Sequence, residues 1–284
     1  MDGNLSFEET DISEAVDRIH DANADAFISL AGGYLIPEWD LAWQHLLKTE
    51  NRSAFIHKII QYCDLHSIDG IDVDLEWQYV TDLYSPFILE LKDSVNLYEL
   101  TLTASLPGTY RYEEISDEAL EAFEWINMMS YDLTGPWNPL NSGQHAPYSF
   151  AENSIFYWQL EGIYNNNLNL GLPFYGYHFI NENNVNALTY NQIVNIDEDN
   201  AFRDQYNNIY YNGIPTIKSK TELAKSIGLG GVMIWELGQD SFGEFSLLSA
   251  IDELVNNSVS TFLEEDVNIS ISPNPFTHQI NISA

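Results

Sequence analysis

The chain has 284 residues, 45% hydrophobic and 13% aromatic, enough to bury one large core; an α/β barrel of roughly 250 residues would nearly fill it. Only 10 basic residues stand against 43 acidic ones, and a formal net charge of −33 argues against nucleic acid and anionic membrane surfaces as partners while leaving a neutral polymer compatible. No apolar run is long enough for membrane insertion, and the start Met1-Asp2-Gly3-Asn4 does not read as a signal peptide.

From Asp11 to Asn23 an acidic segment is predicted helical, and it leads into Ala26-Phe27-Ile28-Ser29-Leu30-Ala31-Gly32-Gly33-Tyr34, a short apolar run closed by two glycines that reads as a buried strand with a tight exit. Ser53 to His66 carries Phe55, Ile56, Ile59, Ile60 and Cys63 at a helical period. Cys63, the lone cysteine, has no internal disulfide partner and reads as a core residue. The chain then enters a strand from Ile68 to Trp77. Further strands are predicted over Leu100 to Leu106, Trp125 to Ser130, Leu168 to Leu172 and Gly231 to Trp235. Helices are predicted over Ile115 to Phe123, Phe150 to Asn165, Lys218 to Ile227 and Leu247 to Asn256. Strands alternating with helices make a parallel sheet, and polar or aromatic residues at strand C-terminal ends point to a barrel whose active face is there.

The strand Ile68-Asp69-Gly70-Ile71-Asp72-Val73-Asp74-Leu75-Glu76-Trp77 alternates with period two, setting Ile71, Val73 and Leu75 on one side and Asp72, Asp74 and Glu76 on the other. A row of carboxylates beside an apolar face suits proton chemistry, because like charges raise one another's pKa. Glu76, outermost in the row, is the natural proton donor, and Asp74 the group that orients and switches. Two plainer readings stand beside this one. A Mg²⁺ or Ca²⁺ site would use the same residue types, but the alternation with bulky Val73 and Leu75 lacks the glycine and loop chemistry of a calcium loop. The solvated face of an edge strand would also alternate, yet Ile71, Val73, Leu75 and Trp77 ask to be buried.

Beyond Asn257 the pattern changes to Val267-Asn268-Ile269-Ser270-Ile271-Ser272-Pro273-Asn274-Pro275-Phe276 and then Gln279-Ile280-Asn281-Ile282. This is strand alternation broken by a turn cluster, and a disordered tail fits the pattern equally.

Asp69-Gly70-Ile71-Asp72-Val73-Asp74-Leu75-Glu76 resembles the signature strand of the family 18 glycoside hydrolases, chitinases and their relatives. The resemblance continues through Met129-Ser130-Tyr131-Asp132, Gly171-Leu172-Pro173-Phe174-Tyr175-Gly176 and Gly228-Leu229-Gly230-Gly231-Val232-Met233-Ile234-Trp235-Glu236, and so covers about Ala26 to Leu254. It implies a (β/α)8 TIM barrel and a retaining hydrolase without an enzyme nucleophile, in which the substrate's 2-acetamido oxygen attacks the anomeric carbon. By the same resemblance Glu76 protonates the leaving oxygen, Asp74 holds the acetamido N–H and stabilises the oxazolinium ion, and Asp72 receives Asp74 when it turns away. Tyr131 donates to the acetamido oxygen, Met129, Asp132 and Tyr175 line the sugar's pocket, and Trp235 is its floor. The substrate implied is chitin or a chitooligosaccharide; no cofactor and no metal are implied. The segment between Tyr177 and Lys218 is too short for the full α+β insertion that walls deep chitinase grooves, so a shallower cleft and internal cleavage are expected. An endo-β-N-acetylglucosaminidase acting on N-glycans, and a chain that binds chitin without turnover, are the alternatives.

The sequence departs from the family pattern at Leu30, where a serine usually precedes the glycine pair, and at Tyr177, where arginine is frequent. Only Met1 to Asp25 precedes the Ala26 strand, which in the family is the third, so about six strands are counted where closure needs eight. The expectation is a barrel lacking its first two strands over residues 1–257, weakly active or inactive as it stands. Residues 258–284 then resemble a linker and the truncated start of a β-type sorting domain, with Pro273-Asn274-Pro275-Phe276 at its hallmark turn. That would imply a secreted bacterial protein that uses the type IX secretion machinery.

Overall fold

A computed structural model describes residues 12–32, 37–256, 270–272 and 281–283. Gly33-Tyr34 and the Pro273-Asn274-Pro275-Phe276 turn, both singled out in the sequence, lie outside the described residues. The chain divides into two compact units, the first comprising Met1–Leu106 and Tyr110–Ile126, the second Pro107–Thr109 and Asn127–Ala284.

In the first unit α1 (Ser13–Asp21) leads into β1 (Phe27–Gly32), then α2 (Pro37–Leu46) and α3 (Thr49–His66) precede β2 (Gly70–Leu75). The α3 residues Phe55, Ile56, Ile59, Ile60 and Cys63 are all buried, as their spacing requires, and burial pushes the Cys63 thiol up to about 12. β1 and β2 pair in parallel, Ile28 opposite Ile71 and Leu30 opposite Val73. After β2 comes α4 (Tyr84–Leu97), then β3 (Thr101–Pro107), α5 (Asp117–Glu121) and β4 (Ile126–Met129). α4 is absent from the sequence reading, yet it buries Tyr84, Phe87, Ile88, Leu91 and Val95 at helical spacing. Pro86 falls in its first turn, where a missing N–H leaves no helical bond unmade.

The second unit continues with α6 (Tyr148–Leu160), which buries Trp158 completely and turns its indole N–H onto the Pro107 carbonyl at 3.1 Å. Next comes β5 (Leu168–Pro173). The stretch left unassigned in sequence becomes an antiparallel sheet of four short strands, β6 (Tyr175–Asn181), β7 (Asn184–Thr189), β8 (Gln205–Tyr206) and β9 (Ile209–Tyr210), with α7 (Tyr190–Val194) between β7 and β8. Thr189 and Gln192 form a capping box at the start of α7. α8 (Ile214–Ile227), β10 (Gly231–Trp235) and α9 (Leu247–Asn256) follow, and β10 pairs in parallel with β5. Near the C-terminus β11 (Ser270–Ser272) and β12 (Asn281–Ser283) pair antiparallel.

Among the described residues the hydrogen-bonded order of the main sheet is β1-β2-β3-β4-β5-β10, six strands, the number counted from sequence. The architecture is α/β, of the (β/α)8 barrel class, with β1 and β10 at the two ends of that order. No helix among the described residues is long and apolar enough to cross a membrane.

Candidate active site

In the first unit β2 carries the carboxylate row. Asp72 is buried, and two hydroxyls donate to it: Thr103 Oγ1 to Oδ1 at 2.6 Å and Ser105 Oγ to Oδ2 at 2.8 Å. Thr103 sits directly opposite Asp72 in the parallel β2–β3 register. Sequence reasoning passes over both donors. The signal was available in Thr101, Thr103 and Ser105, which alternate with Leu102, Ala104 and Leu106 and so share one face of β3.

Asp74 lies one step along the row, with its Oδ1 buried and without a hydrogen-bond partner. Burial first, then the neighbouring Glu76 and Asp72 carboxylates, push the Asp74 carboxyl up to about 8. Sequence reasoning assigns the held proton to Glu76 from the order of charges alone and does not anticipate this shift at Asp74. Depth decides it, and depth is invisible to a period-two count. Glu76 is half-buried, in the residue after the strand ends. Close to the row stand two phenols unforeseen in sequence. Tyr84 is fully buried with its hydroxyl unpaired, and burial together with Asp72 and Asp74 pushes its pKa up. Tyr112 accepts the Trp77 backbone N–H at 3.0 Å and a hydroxyl bond from Tyr110 at 3.4 Å.

In the second unit Met129 ends β4 and Tyr131 and Asp132 follow it. Asp132 adopts the left-handed backbone region at φ 64°, which a short polar side chain tolerates better than most. Its Oδ1 accepts the Tyr175 hydroxyl at 2.6 Å and the Tyr177 hydroxyl at 3.0 Å, with His145 Nδ1 at 3.3 Å. His145 Nε2 lies 3.2 Å from the Tyr175 carbonyl, which can only accept, so Nε2 carries the proton. The Tyr131 hydroxyl reaches Met233 Sδ at 3.9 Å, and its ring meets that of Tyr175 edge-on at 6.1 Å. Gly171 on β5 makes this packing possible: a Cβ there would come within 2.3 Å of the Met128 carbonyl and 3.0 Å of the Tyr131 ring. Trp235 ends β10 at 49% exposure, and its peptide to Glu236 is cis. Tyr175, by contrast, is only 7% exposed, its hydroxyl engaged by Asp132, and burial and that carboxylate push its phenol well up.

Behind this cluster, the Ala146 carbonyl accepts both Lys220 Nζ at 2.8 Å and Asn212 Nδ2 at 3.0 Å, and Lys220 also donates to Asn212 Oδ1 at 2.7 Å. Lys220 is fully buried, which pulls its amine down to about 7 against the opposing effect of Asp204. Because the folded value lies below that of a free lysine, the unfolded chain binds this proton more tightly, and native stability should rise with pH between about 7 and 10.5. Urea midpoints of wild type and Lys220→Met across that window should therefore converge or cross in favour of wild type at high pH. Parallel curves would count against the burial argument. Among the described residues no group of three or more His, Cys, Asp or Glu side chains is arranged to hold a metal ion.

The model of the glycosyl hydrolases family 18 matches residues 2–240. The chain belongs to that family. Among solved structures of family 18, the chitinase ChiB from the chitin utilization locus of Flavobacterium johnsoniae is similar at 42% identity and a TM-score of 0.87, over 90% of this chain and 83% of that one. A chitinase from Bacteroides thetaiotaomicron is similar at 25% identity and a TM-score of 0.77, over 93% and 87%. Probable chitinase 10 of Drosophila melanogaster is 26% identical over 257 residues, which is 69% of this chain but only 11% of the fly protein's length. Within this family 18 chain, the first unit brings Asp72, Asp74 and Glu76 together, and the second gathers Tyr131, Asp132 and Tyr175, with Met233 joining Tyr131 to the strand that bears Trp235.

Proposed function

We propose that the protein is a chitinase that hydrolyses β-1,4-linked N-acetylglucosamine polymers internally, with retention and by substrate-assisted catalysis. The observation that carries this reading is the β2 row, in which a half-buried Asp74, its Oδ1 enclosed and its pKa raised, lies between a hydroxyl-anchored Asp72 and the half-buried Glu76. The substrate's acetamido oxygen attacks the anomeric carbon, the glycosidic C–O bond breaks, and Glu76 gives its proton to the departing oxygen. Asp74 holds the acetamido N–H and balances the positive oxazolinium ion, with Asp72 as its partner when it turns. Water then attacks the anomeric carbon, reopens the ring and returns a proton to Glu76. Tyr131 supplies a hydroxyl to the acetamido oxygen, Met129 and Asp132 line the sugar's site, and Trp235 offers a flat apolar face to a pyranose. Tyr175 acts from behind Asp132, in keeping with its burial. Export is part of the same proposal: Pro273-Asn274-Pro275-Phe276 and the β11–β12 pairing support a type IX sorting domain on a secreted bacterial enzyme.

The test is a product analysis on chitotetraose, cellotetraose and a high-mannose glycoprotein, with and without chelator. Chitotetraose should be cleaved, however weakly, with retained β-configuration and undiminished by chelator. Cellotetraose should be inert, since it lacks the acetamido nucleophile. Rapid cleavage of the cellulose oligomer would overturn the mechanism, and release of N-glycans alone would move the substrate to the glycoprotein core.

A further inference from the structure

Asp132 receives an unusual concentration of donors on one atom. The Tyr175 and Tyr177 hydroxyls both donate to Oδ1, and no hydrogen bond among the described residues falls on Oδ2, although the Asp132 side chain is 38% exposed; His145 Nδ1, the unprotonated ring nitrogen, accepts the Asp132 backbone N–H at 3.4 Å. Both phenols come from β6 while His145, in the loop before α6, holds the Asp132 backbone, so rotation of the carboxylate would break both phenol bonds about a fixed main chain. Neither His145, at 0% side-chain exposure, nor Tyr177, at 6%, is open to a ligand itself. The loop bearing His145 is in turn seated by Lys220 and Asn212 on the Ala146 carbonyl.

We infer that Tyr177 is a positioning residue that locks the Asp132 carboxylate, occupying Oδ1 together with Tyr175 while His145 holds the Asp132 backbone, so that Oδ2 alone is presented to a hydroxyl of the bound sugar. This deepens the chitinase reading and rests on it. A sugar hydroxyl donating to Oδ2 finds an acceptor already oriented, so its bond forms without the carboxylate first giving up rotational freedom. The competing account is packing: the Tyr177 ring meets Trp137 edge-on at 5.8 Å and His145 at 5.0 Å. Tyr177→Phe keeps both ring contacts and removes only the hydroxyl.

The experiment is a double-variant cycle of Tyr177→Phe, Asp132→Ala and their combination, read as kcat and KM on chitotetraose with melting temperatures alongside. Tyr177→Phe should lower kcat about tenfold with KM changed less than about twofold. The combined variant should be no slower than Asp132→Ala alone, because the hydroxyl acts through a carboxylate already gone. Losses that multiply, or wild-type kcat in a folded Tyr177→Phe, overturn the inference while leaving the chitinase reading intact. If the wild-type chain fails to turn over chitotetraose, the hydrolase reading falls, and the same cycle read as tetrasaccharide affinity by calorimetry decides the lock: non-additive losses support it and additive losses overturn it. A wild-type chain that neither cleaves nor binds the tetrasaccharide overturns both.

Discussion

Glu76→Gln is expected to lower the turnover of chitotetraose by about a hundredfold to ten-thousandfold, the range contributed by a positioned general acid, while the oligosaccharide still binds. The amide preserves the shape of the residue that follows β2 and removes the only change the reaction needs from it, a proton to give. Glu76 sits beyond the last paired residue of the strand, half-buried, where a leaving sugar can reach it, whereas Asp72 is committed to Thr103 and Ser105. Steady-state rates alongside calorimetric affinity separate the two effects. Turnover within a hundredfold of wild type would remove Glu76 from the role of acid and transfer the question to Asp74.

Asp74→Asn is expected to abolish activity and, at the same time, to make the protein more stable. A carboxyl whose folded pKa is raised from 3.8 to about 8 binds its proton more tightly in the native state than in the unfolded chain. Its ionisation therefore costs native stability progressively as pH rises through that interval, and the full cost is present above it. An asparagine carries no such term. The melting temperature of Asp74→Asn should draw away from that of wild type between about pH 4 and pH 8 and keep a constant lead above, with a gap on the order of a few kcal/mol. Thermal melts over that range check the sign directly. A variant that is less stable than wild type at pH 8 would show that the buried Oδ1 has a partner in solution that the amide cannot replace.

Much of this was legible in the sequence. The alternation of Ile71, Val73 and Leu75 with Asp72, Asp74 and Glu76 marks out β2 and the face that carries its carboxylates without reference to anything else in the chain. The helical spacing of Phe55 to Cys63 likewise places α3. What escaped depends on distance in the chain or on depth. α4 has its periodic face in Phe87, Ile88, Leu91 and Val95, but a proline in its first turn resembles a break unless the helix start is already known. Of the four strands between Tyr175 and Tyr210, β8 and β9 are two residues each, too brief for a period to emerge, and β7 is a largely exposed, polar strand with no buried face to mark it. His145 and Tyr177 meet Asp132 from 13 and 45 residues away, and nothing local marks either as its partner. The raised pKa of Asp74 is a property of its surroundings, so the residue order alone pointed to its neighbour.

Lys220 gives the second unit a built-in reporter. Burial pulls this amine down to about 7 only while it is enclosed. Its full enclosure keeps reagents away from it for as long as Ala146 and Asn212 hold it. Acylation of Lys220 in a pulse-labelling experiment would thus time the opening of the interior behind Asp132, its labelling lagging behind that of the exposed amines, which need no opening.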